Sequence, residues 1–132
     1  MECACIYDEP DSYTDELSCK LVVSRKNHKC GECSCDIKKG DIYESFVGVN
    51  EGHFYTHKTC ADCLSIRDKF FCSGWHWGMI LERLQEHIDE MYGQISADCI
   101  LSLTSGAQLI VFDYIESTWR QLELDNGEEE EL

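Results

Sequence analysis

Apolar positions in the first half of the chain have the spacing of strands. Leu21–Val23 is a short β-branched run, and Asp41–His57 partly alternates between apolar and polar residues around the turn-forming sequence Asn50-Glu-Gly52. This pattern predicts a strand followed by a β-hairpin. Thr59 is a suitable N-cap, so a helix is predicted over Cys60–Phe71.

In the second half the apolar residues recur every three or four positions, which is typical of amphipathic helices. One predicted helix has an apolar stripe that consists of Trp77, Ile80, Leu81, Leu84, Ile88 and Met91. Gly93 would end this helix, and Ser96 would cap a second one, which Ser105-Gly106 would break. Ala107–Leu122 predicts a largely buried helix, although Leu109–Phe112 is also compatible with a strand.

Two Cys-x-x-Cys pairs, Cys30-Gly-Glu-Cys33 and Cys60-Ala-Asp-Cys63, flank the predicted hairpin with 26 residues between them. Four thiolates in a tetrahedron are the usual ligands of a structural zinc ion. Cys60 and Cys63 would lie on one face of the first helical turn. His57 could replace one cysteine, but a place at the end of a strand is the simpler role for it. These elements predict a treble-clef arrangement with one zinc ion. It consists of a knuckle with the first cysteine pair, a hairpin, and a helix that carries the second cysteine pair.

A second zinc site is predicted from four residues outside these pairs: Cys3, Cys5, Cys72 and His76. The alternative is that Cys3 and Cys5 are free thiols. The pair Cys72–His76 has no orienting carboxylate or oxyanion donor in its surroundings, so no catalytic residue is predicted and the chain is not expected to be an enzyme. Cys99 is expected to be a core thiol, and Cys19 and Cys35 have no predicted role.

A disulfide framework is disfavoured, because the N-terminal residues lack the pattern of a signal peptide. No apolar run approaches the ~20 residues of a membrane span. We therefore expect a cytoplasmic protein without a membrane partner.

The net charge of −15 is distributed unevenly. Residues 18–40 carry six Lys or Arg against two acids, whereas residues 78–132 carry thirteen acids against two Arg. An acidic surface attracts basic partners and repels nucleic acid. The predicted partner-binding residues are Glu82, Glu86, Asp89 and Glu90. The alternative that acidity serves only solubility remains open.

The chain is thus predicted to be α+β, with a small zinc-stabilised knuckle, β-hairpin and helix (treble-clef-like) module followed by a C-terminal helical part. The predicted boundaries are 1–77 for the zinc module, 78–124 for the acidic helical part packed on it, and 125–132 for an acidic disordered tail.

The first ~80 positions also resemble a family of small zinc-binding proteins that phages and prophages encode. The matching motifs are Cys3-x-Cys5-x-Tyr7-Asp8, Arg25-Lys26-x-His28-x-Cys30-x-Glu32-Cys33, Ile37-x-x-Gly40-x-x-Tyr43-Glu44, Cys60-x-x-Cys63 with Arg67, and Cys72 with His76-x-Gly78. The resemblance implies a phage-type origin, hence a bacterial host cell, and no enzymatic activity. Residues 95–132 lie outside it.

Charge and resemblance together predict a non-catalytic interaction protein. Its partner would be a basic host protein that handles nucleic acid, including antiviral defence proteins, and mimicry of nucleic-acid charge would inhibit or modulate it. The alternative is a zinc-finger regulator of transcription or replication that contacts phosphate through Arg25, Lys26 and Lys29, with Lys38 and Lys39 nearby.

Overall fold

A computed structural model describes Ile6, residues 15–71 and residues 74–130, with side chains up to Asp125 in the last helix. The elements are β1 (Asp15–Val23), β2 (His28–Lys29), β3 (Asp36–Ile37), β4 (Ile42–Asn50), β5 (His53–Cys60), α1 (Ala61–Phe70), α2 (Ile80–Glu90), α3 (Ala97–Leu101) and α4 (Ser105–Glu130). The fold is mixed α+β, as predicted, with a small antiparallel sheet and helices. None of the described helices is both long enough and apolar enough to cross a membrane.

The main sheet has three antiparallel strands in the order β1-β4-β5. Strands β4 and β5 form the predicted hairpin, in which Asn50 pairs with His53. The two residues between them, Glu51 and Gly52, both have positive φ, of 53° and 80°. This is the geometry of a tight hairpin turn whose twist matches that of the strands. Strands β2 and β3 form a separate two-stranded ribbon.

Helix α1 begins one residue later than predicted. Thr59 is not its N-cap, because β5 continues through Cys60 and pairs Thr59 with Glu44 on β4. Cys60 stands at the N-cap position and makes no side-chain capping bond. The strand pairing therefore determines where this helix starts.

The helices share one apolar core. Its fully buried members on α1 and α2 are Ile66, Phe70, Ile80, Leu84 and Ile88. From the C-terminal part, α3 and α4 and the segment between them add Cys99, Ile100, Leu103, Ala107, Val111 and Ile115. The amphipathic pattern of the second half is thus realised as helices packed against α1.

Helix α4 differs from its predicted bounds at both ends. It begins at Ser105, where the sequence predicted a break, because the Thr104 hydroxyl accepts the Ala107 N–H at 3.3 Å and caps the first turn. The segment Leu109–Phe112 is helical. The helix continues to Glu130, into the segment predicted to be a disordered tail.

Candidate metal centre

The four cysteines of the two Cys-x-x-Cys pairs come together in the structure. Cys30 and Cys33 lie in the turn between β2 and β3, Cys60 ends β5, and Cys63 lies in the first turn of α1. Their Sγ atoms all lie within 4.8 Å of one another. The Sγ atoms of Cys33 and Cys60 are 3.7 Å apart, and ligands held at ~2.3 Å in a tetrahedron are separated by about that distance.

Backbone amides support the cysteine cluster. The Sγ atom of Cys30, which is 2% exposed, accepts N–H bonds from Glu32 at 3.3 Å and from Cys60 at 3.4 Å. The Cys30 carbonyl accepts the N–H of Ser34, and its own N–H donates to the Cys35 carbonyl. Backbone hydrogen bonds of the turn therefore fix the position of the Cys30 sulfur.

The ionisation of the cluster favours a cation at its centre. Hydrogen bonds from Cys60 and then Cys63 lower the pKa of Cys30. The pKa values of Cys60 and Cys63 are raised, chiefly because they share their protons with Cys30, and burial raises that of Cys33. Four thiolates this close together would repel one another, and a cation between them offsets that repulsion. An all-sulfur set suits zinc rather than calcium or magnesium, so these residues can hold a metal ion such as zinc.

A buried carboxylate connects the first cysteine pair to helix α2. The Glu32 side chain is fully buried and accepts N–H bonds from Gly78 at 2.8 Å and Ile80 at 3.2 Å, at the start of the helix. It also accepts the Nε2–H of His57 at 2.7 Å. His57 thus binds a carboxylate and is not part of the four-cysteine cluster.

Gly31 is required by the approach of this histidine. A Cβ atom at Gly31 would lie 2.4 Å from Cε1 of His57. Sequence reasoning missed the structural roles of both residues between the first two cysteines. Glu32 had a signal in the resemblance motif, whereas Gly31 had none.

A second buried charge, Arg67 on α1, ties that helix to the sheet. Its two terminal nitrogens donate to the Glu44 carboxylate at 2.8 and 2.6 Å. Its guanidinium carbon lies 4.5 Å from the centre of the Trp75 ring and 5.8 Å from that of Trp77. The hydrogen bond from Arg67 lowers the pKa of Glu44. This pair was also missed, because one Glu and one Arg 23 residues apart give no local signal.

The predicted second zinc site cannot be assembled from the described residues. Cys3, Cys5 and Cys72 lie outside them, and His76, between α1 and α2, is half-buried. Cys99 is buried in the core, as predicted, but it is disulfide-bonded rather than a free thiol.

The two cysteines without a predicted role lie outside the cluster. Cys19 and Cys35 are both exposed free thiols. Partial burial of its sulfur and then the charge of Glu44 raise the pKa of Cys19 to about 11, so this thiol stays protonated at neutral pH.

The predicted acidic residues are exposed on α2. Glu82 and Glu90 have no ion-pair partner among the described residues, whereas Glu86 binds Arg83 at 3.0 Å and Asp89 accepts the Thr118 hydroxyl at 2.5 Å. Helix α4 adds further exposed acids, which are Asp113, Glu116, Glu123 and Asp125. We call the exposed carboxylates of α2 and α4 the acidic face.

An apolar groove lies beside the acidic face. It has a volume of about 580 Å³ and is lined mainly by apolar side chains of α3, α4 and the segment before them. Leu101, Phe112 and Trp119 are 66%, 48% and 53% exposed there. Glu116 lines the same groove, so its rim carries negative charge.

The predicted phosphate contacts separate into two groups. Lys29 donates to the Asp36 carboxylate on the neighbouring strand and is neutralised by it. Arg25 and Lys26 line a cavity beside the sheet. Partial burial and then the charges of Lys58 and Lys26 lower the pKa of His28, which lies in the same cavity wall.

Comparison with known proteins gives no relative. No family model matches the chain, and neither the curated proteins nor the solved structures contain a match. The resemblance to phage-encoded zinc-binding proteins stays a prediction.

Proposed function

We propose that the protein is a non-catalytic, zinc-stabilised interaction protein that binds a basic protein through its acidic face. The observation that carries this proposal is the exposed acidic face next to an exposed apolar groove. Residues 78–132 contain only two Arg against thirteen acids, and Arg83 and Arg120 bind Glu86 and Glu116 on their own helices. Most carboxylates of this face are therefore available to a partner.

The apolar groove supports a protein as the partner. Exposed aromatic side chains in a concave surface are typical anchors of protein interfaces, while surrounding charges select the partner and increase its rate of association. Phe112 and Trp119 have this character, and Glu116 lies between them in the sequence. A basic segment with apolar anchors is complementary to this surface.

The zinc ion would stabilise the part of the chain on which the acidic face is built. We infer a treble-clef-like module in which the knuckle of Cys30 and Cys33, the hairpin β4–β5 and helix α1 surround the ion. Glu32 then fixes the start of α2 to the knuckle. The class of partner we propose is a nucleic-acid-handling protein of a bacterial host, because such proteins have basic surfaces that bind phosphates. The acidic face would mimic the phosphates of the nucleic acid and so block or modulate the partner.

The test is capture of proteins from nuclease-treated bacterial lysate on three immobilised forms of the zinc-loaded chain. The test variant carries E82Q, E86Q, D89N and E90Q. The control variant carries D15N, E16Q, E51Q and D68N, which remove the same charge from exposed positions outside the acidic face.

We expect a basic protein that the wild type and the control retain and the test variant loses. Each purified candidate is then titrated with the three forms to compare their binding free energies. Each exposed charge contributes up to about 1 kcal/mol to such binding. Equal capture by all three forms, or by none, would refute the proposal.

A further inference from the structure

A cavity of about 1080 Å³ lies where β1 leads into the loop before β2. Arg25, Lys26 and Lys39 line it, together with apolar and aromatic side chains. The described residues of its wall include no Asp or Glu, although the chain has 26 of them. In a protein of net charge −15, a concave site with cations alone is an exception that calls for an anionic ligand.

The nearby carboxylates do not neutralise these cations. Asp36 binds Lys29, and Asp41 accepts the backbone N–H of Lys38 at 2.9 Å within its own turn. Within the part of the chain that the structure describes, Arg25, Lys26 and Lys39 make no ion pair. Their charge is therefore available to a bound molecule.

Hydrogen bonds join the two loops that carry the cations. The buried Ser24 donates its N–H to the Asp41 carbonyl at 2.8 Å, and its carbonyl accepts the N–H of Gly40 at 2.9 Å. The side-chain oxygen of Asn27 accepts the N–H of Lys39 at 3.1 Å. The cations thus extend from a fixed backbone, which reduces the entropy lost when a ligand binds.

The sheet extends the positive charge beyond the cavity. Ser45 lines the cavity and pairs with Lys20 on β1 and with Lys58 on β5. Directly opposed residues of antiparallel strands project to the same side of a sheet, so two more cations flank the cavity. In its wall, the half-buried ring of His28 lies 5.6 Å from the buried ring of Tyr43, which supports it from behind.

We propose that this cavity binds the phosphate of a nucleotide. Arg25, Lys26 and Lys39 hold the phosphate oxygens, which are good acceptors for charged donors. The half-buried ring of His28 contacts the base or sugar, because every base has an apolar face that packs on aromatic side chains. The nucleotide is either free or part of a single strand, and the two sources share this chemistry. The inference does not depend on the acidic face.

Calorimetric titration of the zinc-loaded full chain at low ionic strength tests it, with ATP and a short single-stranded oligodeoxynucleotide as separate probes. The test variant is Arg25→Gln with Lys39→Gln. The control is Lys29→Gln with Lys69→Gln, which removes the same charge from residues outside the cavity wall. The thermal unfolding of both variants is measured to show that they are folded.

We expect the wild type to bind at least one probe and the test variant to bind it about tenfold or more weakly, as for the loss of two charged contacts. The control should stay within about twofold, because only the general field changes. Binding of ATP alone identifies a free nucleotide as the ligand, and binding of the oligonucleotide alone identifies a nucleic acid. Absence of binding for both probes, or equal weakening in test variant and control, overturns the proposal.

Discussion

Replacement of Glu32 by Gln tests whether the metal knuckle holds helix α2. The carboxylate accepts three N–H bonds, from Gly78, Ile80 and His57, and is closed to solvent. An amide has one oxygen, so its NH₂ group must face at least one of these donors. That donor then lies buried without an acceptor, which costs about 1–3 kcal/mol, and the remaining bonds lose the contribution of the negative charge.

The expected loss of stability for Glu32→Gln is therefore about 2–4 kcal/mol. Urea unfolding of the zinc-loaded protein at fixed free zinc, followed by far-UV circular dichroism, measures it. With a denaturant dependence of about 2 kcal/mol/M, the midpoint should fall by about 1–2 M. Zinc content should stay at one ion per chain, since Glu32 is not a ligand.

Glu123→Gln is the matched control, because it makes the same change at an exposed position of α4. Its free energy of unfolding should change by no more than about 0.5 kcal/mol. If Glu32→Gln unfolds at the same urea concentration as the wild type, the knuckle does not hold α2 and the reasoning is wrong.

Three further results are expected. Cys60→Ser should reduce bound zinc, measured by elemental analysis, from one ion per chain to none. Prolonged chelation of the wild type should unfold the knuckle and hairpin, because structural zinc contributes ~10 kcal/mol or more to the stability of such sites. A metal-free chain that is fully folded would contradict this expectation. Gly31→Ala should lower stability by about 1–3 kcal/mol in the same urea assay, because the added methyl group collides with His57, and an unchanged midpoint would show that the ring can move. Because Arg67 lowers the pKa of Glu44, the pair stabilises the folded state fully at pH values above the unfolded-state pKa of about 4.5, and this contribution is lost as the pH falls through the lowered pKa. The difference in unfolding free energy between wild type and Glu44→Gln, measured at matched pH, should therefore shrink in acid. A difference that does not change with pH would show that the pair does not stabilise the fold in this way.

The sequence predicts the parts of this protein that depend on local spacing. Two Cys-x-x-Cys pairs around a hairpin were sufficient to place Cys30, Cys33, Cys60 and Cys63 in one cluster, because each pair has a fixed local geometry. The apolar stripe predicted for α2 is confirmed at Ile80, Leu84 and Ile88, whereas Trp77 and Met91 lie outside the helix and Met91 is 47% exposed.

Features that depend on tertiary pairing were not predictable. The start of α1 was misplaced because the sheet, rather than the capping preference of Thr59, decides where β5 ends. The contacts of Glu32 with α2 and of Glu44 with Arg67 join residues far apart in the sequence. The charge of each side chain predicts only that it needs a partner of opposite charge or a hydrogen-bond donor. Which residue is that partner depends on the tertiary fold.

The placement of charge around the sheet gives the molecule an electric dipole. Arg67 of α1 and Trp77 pack on the side of β4 that carries Glu44 and Phe46, whereas the cationic cavity is lined by Tyr43 and Ser45 from the other side. A basic protein that comes within a Debye length, about 8 Å at physiological salt, would attract the acidic helices and turn them towards itself. If the protein binds a basic partner through the acidic face, as proposed, the cavity would stay open to solvent in that complex.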